Sequence, residues 1–116
     1  MPTTNDVVNQ HLKCFYEKDL DGVLADYASN AVLFTPGGPL RGAAEIKPFF
    51  QTLVSEFSTP GATFSMRQQY ADGDYAYILW SAETRDNTYE AATDTFVVRK
   101  GKIVAQSFAA KITPKR

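Results

Sequence analysis

The chain carries few of the side chains that do covalent, redox or metal chemistry. Of its 116 residues one is cysteine, one histidine and one tryptophan. A single thiol, Cys14, excludes an internal disulfide, and with no base beside it the expectation is a buried thiol on a helix. One histidine and one cysteine make no zinc-like ligand set, and the "GG" of "TPGGP" precedes no phosphate-binding strand-to-helix fingerprint. No metal and no obligatory cofactor are therefore expected. No basic run exceeds the terminal Pro-Lys-Arg, and 12 basic against 13 acidic side chains leave a net charge of −1, which argues against nucleic acid and anionic membrane surfaces as partners. No apolar run approaches the roughly 20 residues that cross a bilayer. The first ten residues lack the charged start and apolar core of a signal peptide, so a soluble, cytoplasmic protein is expected. Repeats, low-complexity tracts and linkers are also missing. Residues 1–116 thus form one expected domain, long enough to bury roughly two-thirds of its unfolded surface.

Aromatic rings are plentiful, at 13% of residues. Such rings fill cores and also line concave ligand sites, and composition leaves both readings open.

The order of elements is legible from periodicity. Thr3 or Thr4 can cap a helix whose stripe is Val8, Leu12 and Phe15, with His11 on the same side. "DLDGVLADYA" predicts a second short helix with Leu20, Val23, Leu24 and Tyr27 inward, followed by a strand "AVLFT" that stops at Pro36 and a loop "TPGGPLRG". A third helix is expected from about Ala43 to Phe57, its buried face Ile46, Phe49, Phe50, Leu53 and Phe57, with a kink or a later start at Pro48. From Ala62 the period changes to two, and strands are expected at about 62–70, 75–84, 89–99 and 102–112 in an antiparallel meander.

Turn chemistry then assigns faces. "ADG" and "RKG" both suit three-residue hairpin loops, which pair Phe64 with Trp80, Met66 with Ile78, Phe96 with Val104 and Asp94 with Gln106. One face collects Phe64, Met66, Ile78, Trp80, Ala82, Asp94, Phe96, Val98, Val104, Gln106, Phe108 and Ala110, and is the expected core side. Two polar groups, Asp94 and Gln106, point into it. The other face carries Tyr77, Leu79, Val97 and Ile103, too apolar for plain solvent surface, so a partner is expected to cover it.

Three helices followed by a curved antiparallel sheet, with "DLDGVLADYASNAVLFTPGGPLRGAAEIKPFF" leading into "DGDYAYILW" and "DTFVVRKGKIV", resemble the cone-shaped α+β fold of nuclear transport factor 2-like proteins, in their SnoaL-like and ketosteroid-isomerase-like branch. The resemblance covers nearly the whole chain. It implies a homodimer through the outer sheet face and a pocket between sheet and helices. Ketosteroid isomerases use an aspartate general base with an oxyanion hole made by a tyrosine and a protonated aspartate. Carried over by position, the tyrosine falls at His11, the base at Thr35 and the hairpin aspartate at Asp94. A threonine hydroxyl is far too weak an acid to serve as an unassisted base near neutrality, so classical ketosteroid isomerase activity is not expected. Limonene-epoxide-hydrolase-like enzymes need an Asp-Arg-Asp set, and no inward arginine with a second aspartate is apparent. SnoaL-like cyclases place an acid or base on the inner sheet face, a place Asp94 can fill with His11 as its complement.

The expected site is thus Asp94 and His11 as an acid/base pair, with Phe15, Thr35, Met66, Trp80, Phe96, Gln106 and Phe108 around a small apolar organic ligand that carries an oxygen function. An isomerase, cyclase or dehydratase fits that set. So does a non-enzymatic binding module in which Asp94 and Gln106 only anchor the ligand, and so does a dimerisation domain whose pocket is filled by Phe15, Trp80 and Phe108. Each residue has a plainer role too: Asp94 satisfied by Gln106 inside the core, His11 packed on a helical stripe, Thr35 ending a strand. A cavity of about 300 Å3 or more reaching Asp94 separates the ligand-binding readings from the filled core.

Overall fold

Three helices lie against one face of a curved six-stranded sheet in the computed structural model, which describes residues 2–115. Helix α1 (Thr4–Tyr16) starts at a capping box in which Thr3 and Asp6 bond each other's backbone N–H groups. Its buried face is Val7, Val8, His11 and Cys14. The Asp19 side chain caps α2 (Leu20–Ala25) through the Gly22 N–H. This helix ends three residues earlier than the sequence pattern predicts. Tyr27, expected on the helix, instead opens strand β1 (Tyr27–Thr35).

The loop expected at "TPGGPLRG" is largely strand. Thr35 pairs with Gly38 across a Pro36–Gly37 turn, and β2 (Gly38–Arg41) runs back along β1. Helix α3 (Gly42–Phe57) then begins without delay and passes through Pro48 as an α-helix. The proline forfeits a backbone hydrogen bond, but burial of Ile46, Phe50 and Phe57 holds the element together. At the β2–α3 junction Gly42 has φ +71°, and a Cβ there would sit 3.4 Å from the Ser29 carbonyl oxygen. Gly42→Ala is expected to cost about 1–2 kcal/mol, because an L-residue is strained in the left-handed region. A urea melt checks it.

The remaining strands are β3 (Thr63–Asp72), β4 (Tyr75–Glu83), β5 (Asn87–Arg99) and β6 (Lys102–Pro114). The sheet order is β2-β1-β6-β5-β4-β3, with β1 parallel to β6 and every other neighbouring pair antiparallel. Both expected three-residue hairpin loops are in fact two residues long. Gly73–Asp74 joins β3 to β4 with glycine first at φ +59°, and Lys100–Gly101 joins β5 to β6 with φ +54° and +75°, the twist-matched geometries of tight hairpins.

Shortening a loop by one residue reverses the parity of a strand, yet most of the predicted inner face survives. A bulge at Arg67 in β3 and another at Val104 in β6 each restore it. Beyond the bulges Met66 pairs with Trp80, Phe96 with Gln106 and Asp94 with Phe108, two residues from the expected partners but on the expected side. Between bulge and turn the correction does not apply. Ile103, expected outside, is fully buried opposite Val98, and Val104, expected inside, is half-buried.

At the wide end of the sheet the Glu56 carboxylate, in the last turn of α3, accepts hydrogen bonds from Tyr89 Oη (2.8 Å), Thr84 Oγ1 (2.7 Å) and Asn87 Nδ2 (3.0 Å). Burial and the bond to Glu56 push the Tyr89 phenol up. Glu56→Ala strands Tyr89 Oη and Asn87 Nδ2 at the β4–β5 corner, while Thr84 Oγ1 keeps the Asn87 carbonyl as acceptor, and a loss of about 2 kcal/mol is expected in thermal denaturation.

Candidate functional site

The core between α1, α3 and the sheet contains a cavity lined by fourteen residues of mostly apolar character. Phe15, Phe49, Phe57, Trp80 and Phe108 form its aromatic walls, and His11, Asp94 and Gln106 are its polar members. The rings pack edge-on or stacked, with Phe49 on Phe108 at 5.8 Å and Trp80 over Phe108 at 6.3 Å between centroids.

Asp94 is held on β5 between Ile78 of β4 and Phe108 of β6. Only 7% of its surface is exposed. Trp80 Nε1–H donates to Oδ2 at 2.8 Å, and Gln106 Nε2–H donates to Oδ1 at 2.9 Å from a diagonal position. Burial raises the carboxyl pKa, the dominant effect, while the two donors and, less strongly, the field of His11 pull it down. The net direction is upward from the ordinary aspartate range, with burial as its cause.

His11 and Asp94 both face the cavity, but no hydrogen bond joins them. The two ring nitrogens of His11 are engaged elsewhere: Nδ1 lies 3.2 Å from Asp26 Oδ2, and Nε2 lies 3.3 Å from Tyr27 Oη. Tyr27 in turn donates to Gln106 Oε1 at 2.5 Å. A continuous polar chain thus runs Asp26, His11, Tyr27, Gln106, Asp94, Trp80. Rings of Tyr27, Phe50 and Phe96 surround the imidazole edge-to-face at 5.2, 5.7 and 6.0 Å. Burial drives the Tyr27 phenol well above its ordinary pKa, with the charges of Asp94 and Asp26 adding to the effect.

Of the residues expected around a ligand, Phe15, Trp80, Phe96, Gln106 and Phe108 line the cavity with His11 and Asp94. Thr35 and Met66 do not. The Thr35 hydroxyl is spent on the β1–β2 turn, donating to the Gly38 carbonyl and accepting from the Gly37 N–H, and Met66 packs beside the core cluster. Tyr27 and Asp26 join the site without any signal in the sequence pattern that marks them for it. Periodicity placed Tyr27 on a helix, where its hydroxyl had no route to Gln106.

The cavity volume is about 60 Å3. That is room for a few waters or a fragment of a few heavy atoms, and it falls short of the roughly 300 Å3 at which drug-sized pockets begin. Phe49, Phe108, Leu12 and Leu53, all half-buried, occupy the space a larger pocket would need. Among the described residues no cluster of three or more His, Cys, Asp or Glu stands ready to hold a metal ion. No helix among them is long and apolar enough to cross a membrane.

The model of the SnoaL-like domain family matches residues 8–106, most of the chain and every residue of this cavity except Phe108. The chain belongs to the SnoaL-like family. Solved structures agree on the fold at low sequence identity. The SnoaL-like chain superposes on SalBIII, an epoxide hydrolase/cyclase-like enzyme of pyran-ring formation in the polyether salinomycin, with a TM-score of 0.79 at 20% identity over 93% of this chain and 90% of that one. A proposed ketosteroid isomerase from Kribbella flavida gives 0.76 at 15% identity over 93% and 77%. An NTF2-like protein from Cytophaga hutchinsonii gives 0.78 at 14% identity over 96% and 92%. No curated protein matches the sequence. The helices packed on an open, curved sheet are therefore the nuclear transport factor 2-like fold expected from the sequence.

Proposed function

We propose that this SnoaL-like protein binds a small, largely apolar molecule with one oxygen function, its body among Phe15, Phe49, Trp80 and Phe108 and its oxygen at Asp94. One observation carries the reading: a buried carboxyl group, held by two donors, lies at the polar end of an otherwise apolar, largely aromatic cavity. An acid in that setting can donate a hydrogen bond when neutral and accept a proton when ionised, the pair of acts needed to move a proton next to a carbonyl. The neighbours described as a cyclase-like enzyme and a ketosteroid isomerase support chemistry of the isomerase, cyclase or dehydratase kind. Asp94 is the ligand-facing acid/base. His11, with both nitrogens engaged, serves it from behind through Tyr27 and Gln106. The missing base at the Thr35 position speaks against classical ketosteroid isomerase activity.

A second reading is a non-enzymatic binding or accessory module in which Asp94 only anchors the ligand, and a cavity of about 60 Å3, below the volume at which drug-sized pockets begin, favours a third, a dimerisation domain whose core is filled by Phe15, Trp80 and Phe108. The outer sheet face, with Tyr77, Leu79 and Val97 half-buried, is proposed to pair with a second copy of the chain.

Small cyclic ketones and lactones in D2O test the reading. Native mass spectrometry reads binding, and proton NMR reads α-hydrogen exchange. Binding that Asp94→Leu weakens at least about tenfold supports the site. Exchange lost in Asp94→Asn makes the protein a proton-transfer enzyme, and binding without exchange makes it a binding module. Equal binding by wild type and Asp94→Leu would refute the site.

A further inference from the structure

The polar chain behind Asp94 obeys a counting rule that ties its protons to the direction of its hydrogen bonds. Tyr27 Oη and Gln106 Oε1 are both oxygens and lie 2.5 Å apart, so the phenol must place its hydrogen between them. Having one hydrogen, Tyr27 can only accept from His11, and Nε2 must carry a proton. Nδ1 faces the Asp26 carboxylate, so a proton is required there as well. With the amide in this orientation every group is satisfied when both imidazole nitrogens carry hydrogens, one of them directed at Asp26, and Asp94 accepts from Gln106 and Trp80.

Reversing every bond gives a second arrangement that also satisfies each group. The Gln106 amide turns by half a revolution, so that its NH2 donates to Tyr27 Oη and its Oε1 accepts. Tyr27 then donates to the bare Nε2 of a neutral His11, which keeps Nδ1–H on Asp26. Asp94 Oδ1 carries a proton and donates it to Gln106 Oε1. Both arrangements hold the same number of protons: an N–H bond at His11 Nε2 is lost and an O–H bond at Asp94 is gained. Among the described residues no buried polar side-chain atom is unpartnered in the first, and by the same count of donors and acceptors the second leaves none along this chain of groups.

We infer that Gln106 is a direction switch, and that its two amide orientations lock the charge of His11 to the charge of Asp94 although the two side chains do not touch. It acts through its neighbours and is a positioning residue. Other groups facing the imidazole are Asp26 at the α2–β1 junction, Tyr27 on β1, and the uncharged rings of Phe50 on α3 and Phe96 on β5. None of these offers Asp94 a second route to His11. The two states exist without a ligand, so the inference stands apart from the proposed function.

The chain has one histidine, so 15N-histidine labelling reports on His11 alone. The readout is the ratio of imidazolium to neutral ring at a fixed pH near neutrality, with the tautomer of the neutral form. With Gln106 in place, Asp94→Asn is expected to lower that ratio about tenfold, the coupling at which two sites titrate as a pair. In the Gln106→Leu background the same change should move it less than about twofold, since only the attraction through space is left. Tyr27→Phe breaks the chain at another link and should decouple the sites equally, which keeps the test alive where one variant folds poorly. The neutral ring should be the Nδ1–H tautomer. An equal effect of Asp94→Asn in all three backgrounds, or a neutral ring protonated at Nε2, would overturn the switch.

Discussion

Phe96→Ala is expected to destabilise the protein by about 4 kcal/mol, the range for a buried phenylalanine cut back to alanine. Phe96 is 1% exposed and among the largest fully buried side chains. Its ring lies under His11 and its strand neighbours are Ala76 and Gln106, too small or too polar to collapse into the vacated space. The cost is therefore transfer free energy plus an unfilled hole. In urea, with a slope of about 1.5 kcal/mol/M for a chain of this size, the midpoint should fall by about 2–3 M with the slope unchanged. A fall under about 0.5 M would mean that the site floor is loosely packed, against the geometry described above.

Asp94→Asn is expected to change how stability depends on pH. Burial gives Asp94 a higher pKa folded than unfolded, so the folded state binds more protons between those two values. Stability that the neutral acid contributes is fully present below the ordinary aspartate range. It is lost as pH rises from about 4 through the folded pKa, by at most about 1.4 kcal/mol per pH unit. Asparagine does not titrate. The stability of wild type minus that of Asp94→Asn should thus decline with rising pH and then level off. Melts from pH 3 to 8 check the sign. A difference that grows with pH would show that donors and cations outweigh burial at this carboxyl group.

The sequence's legibility ends where loops and long-range contacts begin. Helical periodicity located α1 and α3, and alternation located the four strands of the meander, because each pattern reflects burial of one face. Asp94 and Gln106 came out inward for a partly fortuitous reason. Each hairpin loop is one residue shorter than its turn chemistry predicts, and each hairpin holds a bulge that restores parity before the site is reached. Ile103, between bulge and turn, shows the uncompensated error. Nothing in "TPGGPLRG" announces a strand, since β2 has four residues, one of them proline, and depends on β1 for its pairing.

The aromatic walls were readable residue by residue, whereas the space they leave was not. Cavity volume is set by how Phe49 and Phe108 turn against each other, a property of packing and not of pattern. The link from His11 to Gln106 was hidden for a related reason. It runs through Tyr27, whose hydroxyl reaches Gln106 only because α2 stops at Ala25 and β1 lies parallel to β6. The hydrogen bond from Tyr27 to Gln106 joins residues 79 apart along the chain, beyond any local signal.

The central claim, that Asp94 meets the oxygen of a small apolar ligand, is most directly tested at Trp80. The chain has one tryptophan, and its indole N–H is bonded to the Asp94 carboxylate, so its single indole NMR resonance reports on that carboxyl group. Titration of 15N-labelled protein with cyclopentanone should move the resonance saturably, and cyclopentane at equal concentration should move it far less. The ketone effect should disappear in Asp94→Leu. Equal shifts from ketone and hydrocarbon, or a ketone shift that survives Asp94→Leu, would contradict the account.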